Sequence, residues 1–306
     1  MTGPKLLPSW RPGPTRDALV AFLDAAVDLP VVERVAAFDN DGTLWCEKPT
    51  YVQFDFFLAT LQAATATNPD LRSRAEYAAV LDGDQAAMGE LGLARIALAL
   101  ADLFTGLTPE EFTLAVRTFM DQARHETLDL PTRRAVYQPM LELLAELRRR
   151  EFTIFVVTGG GTEFVRAISA DLYGVLPEAV VGTLIEYEFT TDSGGPVLRR
   201  TDRIVGHANE GAAKVTNIQT QLGRRPILGG GNSGGDREML EWSCRGSGPG
   251  LALLVDHDDA DREFAYESRA ETVTDDEPIV DIARRSGWTV VSMKDDWSTV
   301  FPASPA

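Results

Sequence analysis

Val35-Ala36-Ala37-Phe38-Asp39-Asn40-Asp41-Gly42-Thr43-Leu44-Trp45 is the stretch on which the fold turns. Four apolar residues without polar alternation read as a strand covered on both faces. Directly after it stand two carboxylates two residues apart, Asp39 and Asp41, followed by an Asp-Gly turn. At a strand end they project into the crevice where open α/β sheets hold their ligands. Two carboxylates so close are electrostatically costly unless a proton or cation intervenes. A hard cation such as Mg²⁺, which prefers oxygen ligands, removes that cost. An acidic turn built on Asp-Gly is the plainer reading; it loses weight because matching pieces recur along the chain.

Further strands are predicted at Phe152 to Val157, Pro226 to Leu228, Leu251 to Val255 and Trp288 to Val291. Helical patterns follow at Met140 to Arg150, Glu163 to Asp171, Glu210 to Leu222 and Arg237 to Ser243. Such alternation predicts an α/β fold, a parallel sheet with crossover helices. From about Tyr51 to Arg134 the pattern changes. Tyr51, Phe54, Phe57, Leu58 and Leu61 recur at helical spacing. Thr108-Pro109-Glu110-Glu111 reads as a helix start with an N-cap Thr, Pro at the first position and Glu three residues on. We expect residues 48–134 to form an all-helical inserted domain over the carboxyl end of the first strand, with 1–47 and 135–306 as the α/β core. A small β-hairpin is expected where Leu184 to Phe189 faces Val197 to Arg200 across Asp192-Ser193-Gly194-Gly195. No internal repeat is found, and the acidic segment Asp275 to Asp281 reads as a solvated face.

Composition narrows the function. Of 306 residues, 29 are Lys or Arg and 46 are Asp or Glu, for a formal charge of −17. A surface this acidic repels nucleic acid and anionic membranes. Without a run of about 18 apolar residues a membrane span is not expected, and Met1 to Pro8 has no apolar leader pattern. Cys46 and Cys244 are the two cysteines, too few for a disulfide framework or a metal cluster. The expectation is a cytoplasmic protein.

Three more segments carry chemistry. Val156-Val157-Thr158-Gly159-Gly160-Gly161 ends the second predicted strand and opens a helix, and a hydroxyl with backbone N–H groups at a helix N-terminus makes an anion site. Lys214, in Asn209-Glu210-Gly211-Ala212-Ala213-Lys214, would by itself pass for a solvated helical lysine. Gly229-Gly230-Gly231-Asn232-Ser233-Gly234-Gly235-Asp236 is again strand, glycine-rich turn and helix. Its glycines let backbone approach a ligand closely, and Asn232 and Asp236 offer oxygens suited to a hard cation.

In this order and at these strand ends the four segments resemble the haloacid dehalogenase superfamily, and the likeness covers nearly the whole chain. Asp39-x-Asp41-Gly42-Thr43 is similar to its first motif, Thr158 to its second, Lys214 to its third, and Gly231 to Asp236 to its fourth. The helical insert is placed like the C1 cap of the phosphoserine phosphatase and phosphorylcholine phosphatase branches. The resemblance implies a Rossmann-like core and a Mg²⁺-dependent phosphatase acting on a small phosphorylated substrate. It implies Asp39 as the nucleophile of an aspartyl-phosphate and a metal ligand. Asp41 would be the general acid and base, with its carbonyl on the metal. Thr158, Gly159 and Lys214 would hold the phosphoryl oxygens, and Asn232 and Asp236 would complete the metal site. The chain departs from the family at Asn232, where the fourth motif usually has Asp, and at Ser233, where it has Gly. Whether Asn232 or Asp236 ligates the metal stays open here.

Other readings fit parts of this pattern. A dehalogenase has no use for an acid beside the nucleophile, which Asp41 would be. A receiver-like phospho-acceptor also uses Asp, Thr and Lys, but on a chain less than half this size. Asn232 favours a third alternative, a catalytically weak or non-catalytic phosphoester-binding protein. For the substrate, Trp45, Glu47, Tyr51 and the nearby phenylalanines suggest an aromatic and acidic wall suited to an amino group; the phenylalanines also fit the core face of the first inserted helix. Glu47 lies one residue out of register with the substrate-binding Glu of phosphoserine phosphatases. His257 and Asp258 fit turn or helix-cap roles near the site rim.

Overall fold

The computed structural model describes residues 6–270 and 277–303. Helix α1 (Pro14–Ala26) leads into β1 (Val35–Phe38). Then come α2 (Val52–Thr67), α3 (Ala75–Asp82), α4 (Gln85–Leu91), α5 (Leu93–Asp102) and α6 (Pro109–Gln122), followed by α7 (Gln138–Arg149) and β2 (Thr153–Gly161). The chain continues through α8 (Thr162–Tyr173), β3 (Val180–Asp192), β4 (Gly195–Val205), α9 (Ala212–Leu222) and β5 (Leu228–Gly231). It ends with α10 (Arg237–Ser243), β6 (Leu251–Asp256), α11 (Ile279–Ser286), β7 (Thr289–Ser292) and a single turn, α12 (Met293–Asp296). Residues 1–5 of the predicted leader-free start and residues 275–276 of the acidic segment lie outside the described residues. Asp281, from the same segment, is exposed in the first turn of α11.

Among the described residues the strands form one seven-stranded sheet in the order β4-β3-β2-β1-β5-β6-β7, parallel except for the β3–β4 pair. Strand β1 lies at its centre, and every residue of it is buried. The chain leaves β1 for β2 on one side and returns to β5 on the other, so the sheet reverses direction around β1. Crevices at the carboxyl ends of strands open at such reversals. Phe38 therefore delivers Asp39 into that crevice.

The hairpin forms at the expected turn, with Phe189 opposite Leu198 and Asp192 opposite Gly195, but Leu184 and Ile185 pair beyond the expected partner, with Val205 and Ile204. It is not a separate embellishment. Val180 and Val181, which open β3, pair in parallel with Val156 and Val157, so the hairpin extends the main sheet. The buried valines belong to the parallel core and the exposed alternation beyond them to the hairpin, and this change of pattern within one strand hides its start in the sequence.

Between β1 and β2 the five helices α2 to α6 run without a strand among the described residues. The capping box at Thr108 is present, with Glu111 donating its backbone N–H to the Thr108 hydroxyl and its carboxylate accepting from the Thr108 N–H. Helix α2 is two-faced. Leu61 packs with Tyr77, Val80, Ile96, Ala99 and Leu100 in a small core local to these helices. Phe56 instead joins the main core, its ring 5.0 Å from Phe104, 5.9 Å from Phe112 and 5.7 Å from Phe164 of α8. The phenylalanines of α2 thus serve packing, as the plainer of the two readings has it. Phe56→Ala removes the ring that joins α2, α6 and α8, and it is expected to cost about 3–5 kcal/mol of stability by urea unfolding.

Candidate active site

The first-motif turn is pinned from several sides. The Asp39 N–H donates to the Gly230 carbonyl at 2.9 Å, the Gly42 N–H to the Trp45 carbonyl at 2.9 Å, and the Tyr137 N–H to the Leu44 carbonyl at 2.9 Å. Gly42 has φ of 70°, and a Cβ there would lie 2.0 Å from the Asn232 amide nitrogen. Both the turn and the close approach require glycine.

Lys214 is the centre of the site. Its ammonium stands 2.6 Å from Asp39 Oδ1 and 2.6 Å from Asp236 Oδ1, all three side chains buried. Burial disfavours the lysine's charge, but Asp236, Asp39 and Glu210 override it and raise its pKa. Burial, then repulsion from Asp236, holds the Asp39 carboxyl well above its ordinary range, with Lys214 opposing. Asp41 is likewise raised by burial, while the Trp45 indole N–H at 2.8 Å and the Asn40 amide at 3.3 Å hold its carboxylate.

Asp236 spends its second oxygen on its own turn, accepting from the N–H groups of Asn232 and Ser233 at 3.0 and 3.1 Å and from the Ser233 hydroxyl at 3.3 Å. Asn232 is differently engaged. Its Oδ1 accepts from the Thr43 hydroxyl at 3.3 Å, while its amide donates to Glu47 at 3.2 Å and Ser268 at 3.4 Å. Glu47 also accepts from the Tyr266 hydroxyl at 2.7 Å and is 6% exposed. Burial raises its pKa, against the Tyr266 hydrogen bond.

At the end of β2 the second-motif turn differs from expectation. The strand continues through Gly161, the Gly160 N–H donates to Thr158 Oγ1 at 2.9 Å, and the Gly161 N–H donates to Gln53 of α2 at 2.9 Å. The Thr158 hydroxyl is thereby oriented by its own turn. Asn209, fully buried, donates to the Thr158 carbonyl at 2.9 Å and fixes the segment before α9. That places the Glu210 carboxylate between the second and fourth turns, against Gly159 and Gly235. Burial raises the Glu210 pKa, with Lys214 opposing.

The structure therefore brings Asp39, Asp41, Thr158, Gly159, Lys214, Asn232 and Asp236 to one crevice, with Glu47 behind Asn232. Sequence reading passed over Gln53, Asn209 and Glu210, as well as Glu263, Tyr266 and Ser268. Only Glu210 carried a signal, standing one helical turn before Lys214. His257 is more than a rim residue: its Nε2 lies 2.8 Å from the Gly42 carbonyl and its Nδ1 3.3 Å from Glu263. Glu263 in turn accepts from Cys46 and from Tyr137, each at 2.9 Å. Asp258 does cap a turn, accepting from the Lys294 N–H at 2.9 Å.

For a cation, the donor set is oxygen only. Among the described residues no three His, Cys, Asp or Glu side chains converge as a metal site. The oxygens on offer are the Asp39 carboxylate, backbone carbonyls of the first-motif turn and the Asn232 amide oxygen. Such donors are of the kind that Mg²⁺ takes, since it keeps waters and uses one or two carboxylates with substrate phosphate. Among the described residues no helix is long and apolar enough to cross a membrane.

Removing the Lys214 ammonium leaves two buried carboxylates facing each other. Lys214→Met should lose about 3–5 kcal/mol of stability near neutral pH. Urea unfolding checks this, and wild-type stability in that variant would show that the ion cluster does not hold the site together.

A family model described as haloacid dehalogenase-like hydrolase matches residues 36–241. Among solved structures, a protein of unknown function from Bordetella pertussis Tohama I is similar at 20% identity and a TM-score of 0.52, over 85% of this chain and 98% of that one. A functionally unknown protein from Anaerococcus prevotii DSM 20548 is similar at 14% identity and 0.54, over 88% and 89%. A probable phosphoserine phosphatase from Vibrio cholerae scores 0.42 at 14% identity, over 80% and 63%. The first two likenesses are of fold alone. No curated protein matches the chain significantly.

Proposed function

The chain belongs to the haloacid dehalogenase-like hydrolase family, and from that premise we propose that it is a Mg²⁺-dependent phosphomonoesterase acting on a small phosphorylated metabolite through an aspartyl-phosphate. The observation that carries the reading is the Lys214 ammonium held between Asp39 and Asp236 at 2.6 Å each, with Asp41 two residues from Asp39 in the same turn. Phosphoryl transfer asks little of a protein beyond a positioned nucleophile, a proton donor and positive charge on the phosphoryl oxygens.

In this mechanism an Asp39 oxygen attacks phosphorus, and the bond from phosphorus to the leaving oxygen breaks. Asp41, its pKa raised by burial, gives its proton to that oxygen. The alcohol leaves, and Asp41, now ionised, takes a proton from water as that water attacks the aspartyl-phosphate. Phosphate departs and Asp39 is regenerated. Lys214, the Thr158 hydroxyl and the Gly159 backbone hold the phosphoryl oxygens. Mg²⁺, when bound, supplies positive charge against the developing charge on those oxygens; the Asp39 carboxylate, the Asp41 carbonyl and Asn232 Oδ1 would hold it. Asp236, both of whose oxygens are engaged, contributes charge and the shape of the fourth turn.

Residues 48–134 act as a cap that selects the leaving group, on the support of Gln53, which reaches from α2 to the second-motif turn. Its closure would exclude water from a labile intermediate. Gln53→Ala should change the ratio of kcat/KM between large and small phosphomonoesters. Equal losses for all substrates would remove the cap from specificity.

A panel of phosphomonoesters with the purified protein and Mg²⁺ tests the main reading. Phosphate release should require the metal, and robust turnover in excess EDTA would overturn it. Asp39→Asn should abolish turnover, Asp41→Asn should slow it about a hundredfold or more, and borohydride trapping should mark Asp39. One feature, the neutral Asn232, favours a catalytically weak phosphoester-binding protein, which binding without phosphate release would select.

A further inference from the structure

Position 232 is where the chain leaves its family, and the structure gives that departure a partner. Asn232 and Glu47 are both buried and meet at 3.2 Å, directly beneath Gly42. Glu47 accepts from Tyr266 on the same oxygen. The Asn232 group that faces Glu47 is the NH₂, donating to Oε1, and the group that faces Thr43 is Oδ1, accepting from its hydroxyl. The Ser268 hydroxyl takes the other amide hydrogen. An aspartate at this position would present a second carboxylate to Glu47 at hydrogen-bond distance, where like charges repel.

We propose that Glu47 is a positioning residue for the cation site, holding the Asn232 amide so that Oδ1 faces the first-motif turn. The pair is an exchange: the carboxylate stands on the first-motif side and the amide on the fourth, instead of the reverse. Glu47, close to Asp41 in the chain but turned away from solvent, thus acts on the metal loop and not on the leaving group. This rests on the phosphatase reading for the presence of Mg²⁺, but the pairing itself does not need the metal.

The test uses the full chain with Glu47→Gln, Asn232→Asp and the double variant. Two readouts are taken: the thermal midpoint without metal, and Mg²⁺ affinity by calorimetry. Asn232→Asp should lower the metal-free midpoint by several degrees. Glu47→Gln should weaken Mg²⁺ binding by about tenfold, the usual scale for a residue that orients a metal ligand. The double variant should recover both, because its glutamine amide on the first-motif side can donate to the carboxylate now on the fourth. If Asn232→Asp does not fold, its recovery by Glu47→Gln is the expected result, and an unfolded double variant overturns the pairing. Midpoint losses that add in the double variant overturn it as well. Unchanged Mg²⁺ affinity in Glu47→Gln would overturn the positioning role. Absence of Mg²⁺ binding in the unaltered protein would instead overturn the metal-dependent phosphatase reading, leaving the metal-free midpoints to decide the pair.

Discussion

A single buried ammonium organises this molecule's crevice. Lys214 sits between Asp39, which directly follows β1, and Asp236, which closes the turn between the neighbouring strand β5 and α10. Burial and the neighbouring Asp236 both oppose ionisation of Asp39, and the lysine is what opposes them. The lysine comes from α9, so sheet and helix must dock before the charges are balanced. The crevice geometry is therefore a product of the assembled core.

Around that cluster the protein distributes its hydrogen bonds. Asp236 holds its own turn, Asn209 holds the end of β2, and His257 meets the carbonyl of Gly42. These contacts come from separate segments, and together they confine the turns that carry Asp39 and Asp41. Behind them lie two buried polar clusters, Glu263 with Cys46, Tyr137 and His257, and Glu47 with Tyr266, whose ring stacks on His257. They are satisfied internally, as buried polar groups require, and they support the first-motif turn from below.

The helical insert meets the core in two ways. Phe56 binds it through an aromatic cluster that includes Phe164 of α8. Gln53, one turn earlier on the same helix, touches the second-motif turn. Apolar anchoring and polar reach are thus separated along α2, which allows the insert to be fixed to the core and still address the crevice.

Local patterns alone, namely apolar runs, helical spacing and turn glycines, suffice for the strand that carries Asp39, the parallel core, the strand-free insert, the capping box at Thr108 and the hairpin turn. The sequence by itself also marked Asp39, Asp41, Thr158, Asn232 and Asp236, because each stands beside a strand end or glycine-rich turn, whereas Lys214, on a helix, was marked only through the family resemblance. Tertiary structure decided the rest. That Val180 and Val181 join the main sheet follows from pairing with β2, which no local pattern encodes. That Gln53 and Glu210 line the crevice follows from how α2 and α9 dock. Why position 232 is an amide became legible only when Glu47, 185 residues away, was seen to face it; a carboxylate's need for a donor is met by its neighbour in space, and the chain order does not show that neighbour.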